Sequence, residues 1–558
     1  MMIEFRSWRY LLIGLAVVLV AGLGLFASSR GAGQAGLVAD GADPRSVDPP
    51  APAACDGVPI EPGDSLQEVV DAYPEGTAFC VKAGVHRLAT AVPKDNQKFI
   101  GEGEATILSG ARVLAAEDAQ RDAAGRVFWD GQTQQSEPWG QLVGRGSDAG
   151  RNPGDRYNEE LFVTASGDPR DPPTRYRRVR ELSELEPGAW YFDYAADRIF
   201  LAEDPARLGL IETSVIPTAI GAPDDAPPRG VVVENLVVEK YATRAQRASL
   251  SGSSAVDWDI RYVTARYSHA AGVALGPGTL MEYSKVHHMG QEGLIGGGEA
   301  LNRPTMLRNT EVAYNKTLSF DPAWEAGGAK FFRAYGKGMI VENSWFHDNY
   351  GAGLWFDIDN YNVIIRSNRF EANHRWGLFY EVSRQGEIYW NEAFGTIRGP
   401  EDGPYGGAGI AISNSADVKV YENLIYNNDN GIYVKEDRDV TRWAADSYRE
   451  GLPHVENVRI YNNDVTMGSG VTGMEVENGG GVNHWDPSKI QFLENTYRIG
   501  DGGGQFIGVA NELYTFQQWQ DLGHDRGGTV LGIQTGSGSL PIAATRFTKT
   551  EYGARPTP

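Results

Sequence analysis

The 558-residue sequence predicts an all-β chain wound into a parallel β-solenoid, with an N-terminal cap helix and one β-rich insertion. Three observations predict it. Asn followed closely by an apolar residue recurs from residue 231 onward, at Asn235, Asn309, Asn343, Asn368, Asn391, Asn423, Asn463 and Asn495. The tightest intervals are 25 residues (343 to 368) and 23 residues (368 to 391). Runs such as "NVIIRSNRF" and "DVKVYENLIY" alternate apolar and polar residues as short strands do. The 69 glycines suit a chain that turns often.

A second Asn often follows the first, at Asn315, Asn349, Asn373 and Asn428. Stacked coil on coil, these amides are expected to bond turn backbone and one another. A leucine-rich repeat lacks its Leu frame here, and a β-sandwich would not hold so regular a period.

The elements follow in chain order. In residues 1–30, Arg6 and Arg9 precede an uncharged stretch from Leu11 to Ala27, with Ala27-Ser28-Ser29 as a small-residue cleavage site. This reads as a signal peptide or membrane anchor, so the remainder is expected outside the cell, secreted or tethered. Residues 31–54, rich in Gly, Ala, Pro and Asp, read as a linker. Residues 55–111 hold the N-terminal cap and first coils. Ser65 with Glu68 forms a capping-box pattern that opens a short helix, and Cys55 and Cys80, the only two cysteines, flank it. An exported chain favours a Cys55–Cys80 disulfide over two free thiols. Residues 112–225 keep strand-like alternation but lose the Asn period, which marks an inserted β-rich domain. The coils resume over 226–500. Residues 501–558 begin with "NELYTFQQWQDLGHDRGG", a short helical or mixed cap over unpaired last strands.

The net charge of −22 repels a nucleic-acid backbone, and no basic stripe reverses it. The chemistry gathers in one place. Gly353-Leu-Trp-Phe-Asp357 returns 24 residues later as Gly377-Leu-Phe-Tyr-Glu381. Gly plus four residues also gives Ser413, Lys435 and Glu477, and earlier Gly276 and Gly297. Strand alternation turns Leu354, Phe356, Leu378 and Tyr380 inward, and Trp355, Asp357, Phe379 and Glu381 toward solvent. Positions of equal phase stack about 4.8 Å apart. Two carboxylates stacked so closely repel, and three uses are open. A retaining glycosidase pair needs carboxyls about 5–5.5 Å apart, and mutual repulsion then raises one of the two. A Ca²⁺ site would add Asp359 and Asn360. Alternatively Lys330, Arg333 or Arg384 neutralises a plain solvated face.

The surroundings favour sugar. Trp355 and Phe379 beside the acids suit stacking on pyranose faces, unless a loop covers them. Trp324 and Glu325 would wall the site, and Lys330 takes the place of Trp355 one coil earlier, as a salt-bridge partner of Asp357 or a sugar-hydroxyl donor. His347-Asp348 and His374-Arg375-Trp376 sit at the turns before each column strand, where they could rim a cleft. His287-His288 lacks a third ligand at a recognisable spacing.

These coils resemble the pectate-lyase-like right-handed parallel β-helix proteins over most of residues 55–110 and 226–500. Within that set, "GLWFD" followed by "GLFYEVS" resembles the catalytic pair of the family 120 glycoside hydrolases, which are β-xylosidase-like. The resemblance implies a retaining enzyme, a β-sandwich-like interruption of the helix matching residues 112–225, Asp357 as nucleophile and Glu381 as acid/base, with no metal or cofactor. It departs at "FDIDN", where a second Asp follows the first. Two other readings remain open. One is a polysaccharide lyase or epimerase for uronates, using Lys330, Arg333 and Lys435 and a Ca²⁺ on Asp357 and Asp359. The other is a non-catalytic surface glycan binder.

Overall fold

The computed structural model describes residues 54–134, 157–399, 402, 406–436, 448–451, 454–468, 470–476, 487–500, 504–509 and 512–533. The expected signal segment, nearly all of the linker and Glu477 lie outside these residues.

The chain winds as a right-handed parallel β-helix. One coil contributes Met339–Glu342, Trp345–His347 and Ala352–Phe356, and the next contributes Val363–Arg366, Arg369–Glu371 and Trp376–Glu381. Each strand pairs in parallel with its counterpart one coil on: Met339 with Val363, Trp345 with Arg369, Leu354 with Leu378. Three walls result. Val341, Phe346, Leu354, Phe356, Ile365, Phe370, Leu378 and Tyr380 fill the interior. Burial of each such side chain contributes about 1.5–3 kcal/mol, so the alternating pattern itself supplies the drive to wind.

The corner between the first two walls explains the Asn repeat. Asn368 Nδ2 donates to Asn391 Oδ1 at 3.1 Å, Asn391 to Asn423 at 3.0 Å, Asn423 to Asn463 at 2.9 Å, and Asn463 to Asn495 at 2.9 Å. Asp525 ends the row, accepting from Asn495 at 3.0 Å. A second row links Asn315, Asn349 and Asn373 at 3.0 and 2.9 Å. Three expected members are corrected. Asn235, Asn309 and Asn343 lie at left-handed φ of 60°, 49° and 50°, a turn position just before the row. Ser344 carries the row in place of Asn343, its backbone N–H donating to Asn368 Oδ1 and its hydroxyl taking the corner bond from Thr310 N–H. Asn serves both positions because it tolerates the left-handed region and also bonds backbone, so residue type alone does not separate them.

At the N-terminus helix α1, Leu66–Ala72, buries Leu66 and Val70 on the first coils, and the Ser65 hydroxyl accepts from Glu68 N–H at 3.4 Å. Cys55 and Cys80 form a disulfide. The insertion is a β-sandwich. Strands Ala111–Val113, Leu161–Thr164, Thr174–Arg175 and Leu210–Ser214 make one sheet; Gln120–Arg121, Val127–Trp129, Arg177–Arg178, Ala189–Asp193 and Arg198–Leu201 make the other. They share a core of Trp129, Leu161, Trp190, Ile199 and Ile211. Its seam to the coils is ionic: fully buried Lys240 bonds Glu212 at 2.7 Å and Glu239 at 2.9 Å, and Arg266 meets Glu239 at 2.7 Å. At the far end helix α2, Phe516–Asp521, inserts Trp519 against Phe492.

The third wall carries the candidate site. Its strands are β1 (Glu292–Ala300), β2 (Gly327–Gly336), β3 (Ala352–Phe356), β4 (Trp376–Glu381), β5 (Ala408–Ser413) and β6 (Asn430–Glu436).

Candidate active site

Register builds three columns on the outer face of this wall. Ile295, Lys330, Trp355, Phe379, Ala411 and Tyr433 stack in one. In a second, Glu292 faces Gly327 and Gly327 faces Ala352. In the third, Gly297 faces Phe332, and Glu381 faces Ser413 and then Lys435. Asp357 directly follows Phe356, which is paired with Tyr380, so it has the phase of Glu381 one coil earlier. The column continues from Lys435 to Glu475, two residues before the expected Glu477.

A strained turn follows each acid. Ile358 and Val382 have left-handed φ of 59° and 46°, unusual for β-branched residues. Stacked backbone bonds hold them: Arg333 N–H donates to Ile358 O at 2.9 Å, and Val382 N–H to Ser413 O at 2.9 Å. Such strain, about 1–2 kcal/mol per residue, sharply ends the strand and leaves Asp357 and Glu381 at its lip.

Lys330 joins the columns. Its Nζ lies 2.9 Å from Asp357 Oδ2 and 3.8 Å from Glu325 Oε1, and donates to Trp324 O at 2.7 Å. It also sits 3.7 Å from the centroid of the Trp355 ring. Trp355 Nε1 in turn donates to Glu381 Oε2 at 3.1 Å. Burial alone would pull the Lys330 ammonium down, but the carboxyls of Asp357, Glu325 and Glu292 outweigh it and hold it above its ordinary value. The carboxyls pushed up are Glu292, by burial first and then by Glu325, and Glu325, by burial against the opposing pull of Lys330 and Gln246. Gln246 Nε2 donates to Glu325 Oε2, and Gln291 Nε2 to Glu325 O at 2.8 Å.

The structure thus brings together Asp357, Glu381, Lys330, Trp324, Glu325, Trp355, Phe379 and Trp376. Two expectations change. Trp355 and Phe379 face outward but are each only 5% exposed. Trp376 stacks on Phe379 at 4.0 Å, and the Lys330 ammonium occupies one face of Trp355, so neither ring is an open platform for a sugar. His347 and Asp348 lie elsewhere: His347 ends a strand of the second wall, where it bonds Glu311 at 3.1 Å and Asp348 at 2.8 Å. His374 packs its edge on Tyr350 at the turn before β4, and burial lowers its basicity. Asp359 and Asn360 do not turn toward Asp357's carboxylate. Asp359 accepts from the Tyr335 hydroxyl at 2.5 Å, and Asn360 belongs to an interior row with Ser383. Glu292, Gln246 and Gln291 escape sequence reasoning: they lie 65, 111 and 66 residues before Asp357, and only their register against the loop at Glu325 joins them to it. A signal existed for Glu292 alone, as a charged residue directly before the uncharged run "GLIGGG".

The family described as "Right handed beta helix region" matches residues 248–399. No curated protein matches the chain in sequence. Among solved structures, XylC in complex with xylose superposes with a TM-score of 0.57 at 13% identity, over 84% of this chain and 82% of that one. The A-module of the Azotobacter vinelandii mannuronan C-5 epimerase AlgE6 matches with a TM-score of 0.44 at 12% identity, over 86% of this chain and 97% of that one. The family match and the XylC superposition therefore agree with the strand pairing: the chain has the right-handed parallel β-helix fold. Onto this fold the chain adds the sandwich inserted among the early coils and the acid pair on the third wall.

Proposed function

We propose that the protein is an exported retaining glycoside hydrolase, β-xylosidase-like, acting on a plant or microbial oligosaccharide or polysaccharide. One observation carries this reading: Asp357 and Glu381 occupy the same phase of adjacent coils at the strand lip, where one coil rise of about 4.8 Å nearly matches the separation of about 5–5.5 Å that a retaining pair needs. The similarity to XylC, a structure with bound xylose, supports it.

Asp357 attacks the anomeric carbon while Glu381 protonates the leaving oxygen; Glu381 then acts as base for the water that releases the sugar. Lys330 binds one Asp357 oxygen and leaves the other for attack. Trp355 Nε1–H fixes the orientation of Glu381 from the neighbouring coil. Incubation with an activated 2-fluoroglycoside, followed by peptide mass spectrometry, tests the assignment. A stable adduct on Asp357 is expected. An adduct elsewhere, or an unsaturated product whose formation stops on chelation, would move the protein to another class.

A further inference from the structure

We propose that Glu292 is a positioning residue of this site: it stands as a neutral, proton-bearing carboxyl, and its neutrality leaves Lys330 to Asp357. The argument begins with placement. Glu292 heads the column that runs through Gly327 to Ala352, and Ala352 packs with Trp355 and Phe379 on the outer face. Gly327, its partner one coil on, carries no side chain, and the charged groups that act on the Glu292 carboxyl are Glu325, Lys330 and Asp357.

Charge follows. Three carboxyls, Glu292, Glu325 and Asp357, surround one ammonium, that of Lys330, and these four are the charged groups acting on one another there. Glu292 is 1% and Lys330 4% exposed. A desolvated site with one cation does not keep three ionised carboxylates. Asp357 has the closest contact with Lys330, at 2.9 Å. Glu325 has Lys330 at 3.8 Å and the Gln246 amide. Glu292 has neither, and its Oε2 is buried without a hydrogen-bond partner among the described residues. A bare carboxylate oxygen costs more there than a neutral carboxyl. The proton therefore belongs on Glu292. Were it lost, Glu292 would compete for the same ammonium, and Asp357 would share its counter-charge.

The functional consequence rests on Asp357 being the nucleophile; the protonation itself does not. Thermal unfolding of the full chain, its E292Q variant and its E325Q variant between about pH 5 and about pH 8 separates the two. A carboxyl that keeps its proton in the folded state and loses it in the unfolded one erodes stability as pH rises through this range. Gln cannot ionise, so the midpoint of E292Q should climb relative to wild type by about 1–2 °C per pH unit. A flat or falling difference for E292Q, or a climb in E325Q alone, overturns the proposal. In the difference infrared spectrum at neutral pH, wild type should show a protonated-carboxyl band absent from E292Q. In turnover, E292Q should keep a larger share of its own maximal kcat/KM above about pH 8 than wild type does. Profiles of identical shape would reduce Glu292 to a packing role. Should the chain cleave no glycoside, the unfolding series still decides where the proton lies.

Discussion

Lys330 and Asp357, from successive coils, form a buried ion pair of 2.9 Å on the outer face of the third wall. Lys330 lies within β2 and Asp357 just past the end of β3, so the coil stacking rather than local sequence makes the pair.

Replacing Lys330 with Met should therefore be severe. It leaves Asp357, Glu325 and Glu292 with no ammonium, and losing one partner of a buried pair costs about 3–5 kcal/mol. Because Lys330 titrates above its ordinary value, its contribution is fully present through neutral pH and disappears only as pH rises through the folded ammonium's range. Urea unfolding at neutral pH should show the full loss, and turnover should fall with it.

Asp357→Asn and Glu381→Gln preserve shape and remove the reacting groups. Each should lower kcat on an aryl glycoside by at least about 10²–10⁴-fold, with a smaller change in unfolding midpoint than Lys330→Met. A small nucleophile such as azide should restore turnover to one of the pair if the mechanism is covalent. Parent-level turnover in both variants would end the hydrolase assignment.

Two Asn of the same motif should respond differently. Asn368 donates to Val341 O at 2.9 Å and accepts from Ser344 N–H at 3.0 Å inside the row, so Asn368→Ala strands buried groups. A loss of about 2–4 kcal/mol is expected. Asn343 only serves a left-handed turn, where Ala costs about 1–2 kcal/mol. Urea midpoints compared at equal m-value check the order of the two.

The seam between sandwich and coils should be acid-sensitive. Burial, the largest influence on Glu239, would raise its carboxyl, yet Lys240 and Arg266 outweigh it and hold it below the ordinary value. Its stabilisation is thus complete above the unfolded carboxylate's pKa and is lost as pH falls through the folded one. Lys240→Met, by leaving Glu212 and Glu239 buried without that ammonium, should destabilise by about 3–5 kcal/mol and abolish most of this pH dependence.

Much of the architecture was legible because a solenoid repeats its physics at every coil. Leu354 and Phe356 inward, Trp355 and Asp357 outward follow from alternation alone, and the spacing of Asn368 and Asn391 betrays the stacking. The N-terminal cap helix was legible too, through Ser65 and Glu68, and the C-terminal one as a short helical or mixed cap in "NELYTFQQWQDLGHDRGG". What failed has a common cause. Asn343 and Asn368 look alike because one residue type suits two adjacent corner positions. Whether Trp355 was an open platform or covered stayed undecided, because alternation states which way a ring points but not what covers it.

The sequence by itself determined the periodicity, the stacked coils, the caps and the equal phase of Asp357 and Glu381, since each depends on residues near in the chain or on a fixed repeat. Only the tertiary structure decided the partners: Lys330 on Asp357, the Trp355 indole on Glu381, Gln246 on Glu325, and Glu292 with one oxygen unbonded among the described residues. Those contacts cross coils through loops of unequal length, and their energies are set by burial and by how many charges share one ammonium. Neither quantity exists until the coils have stacked.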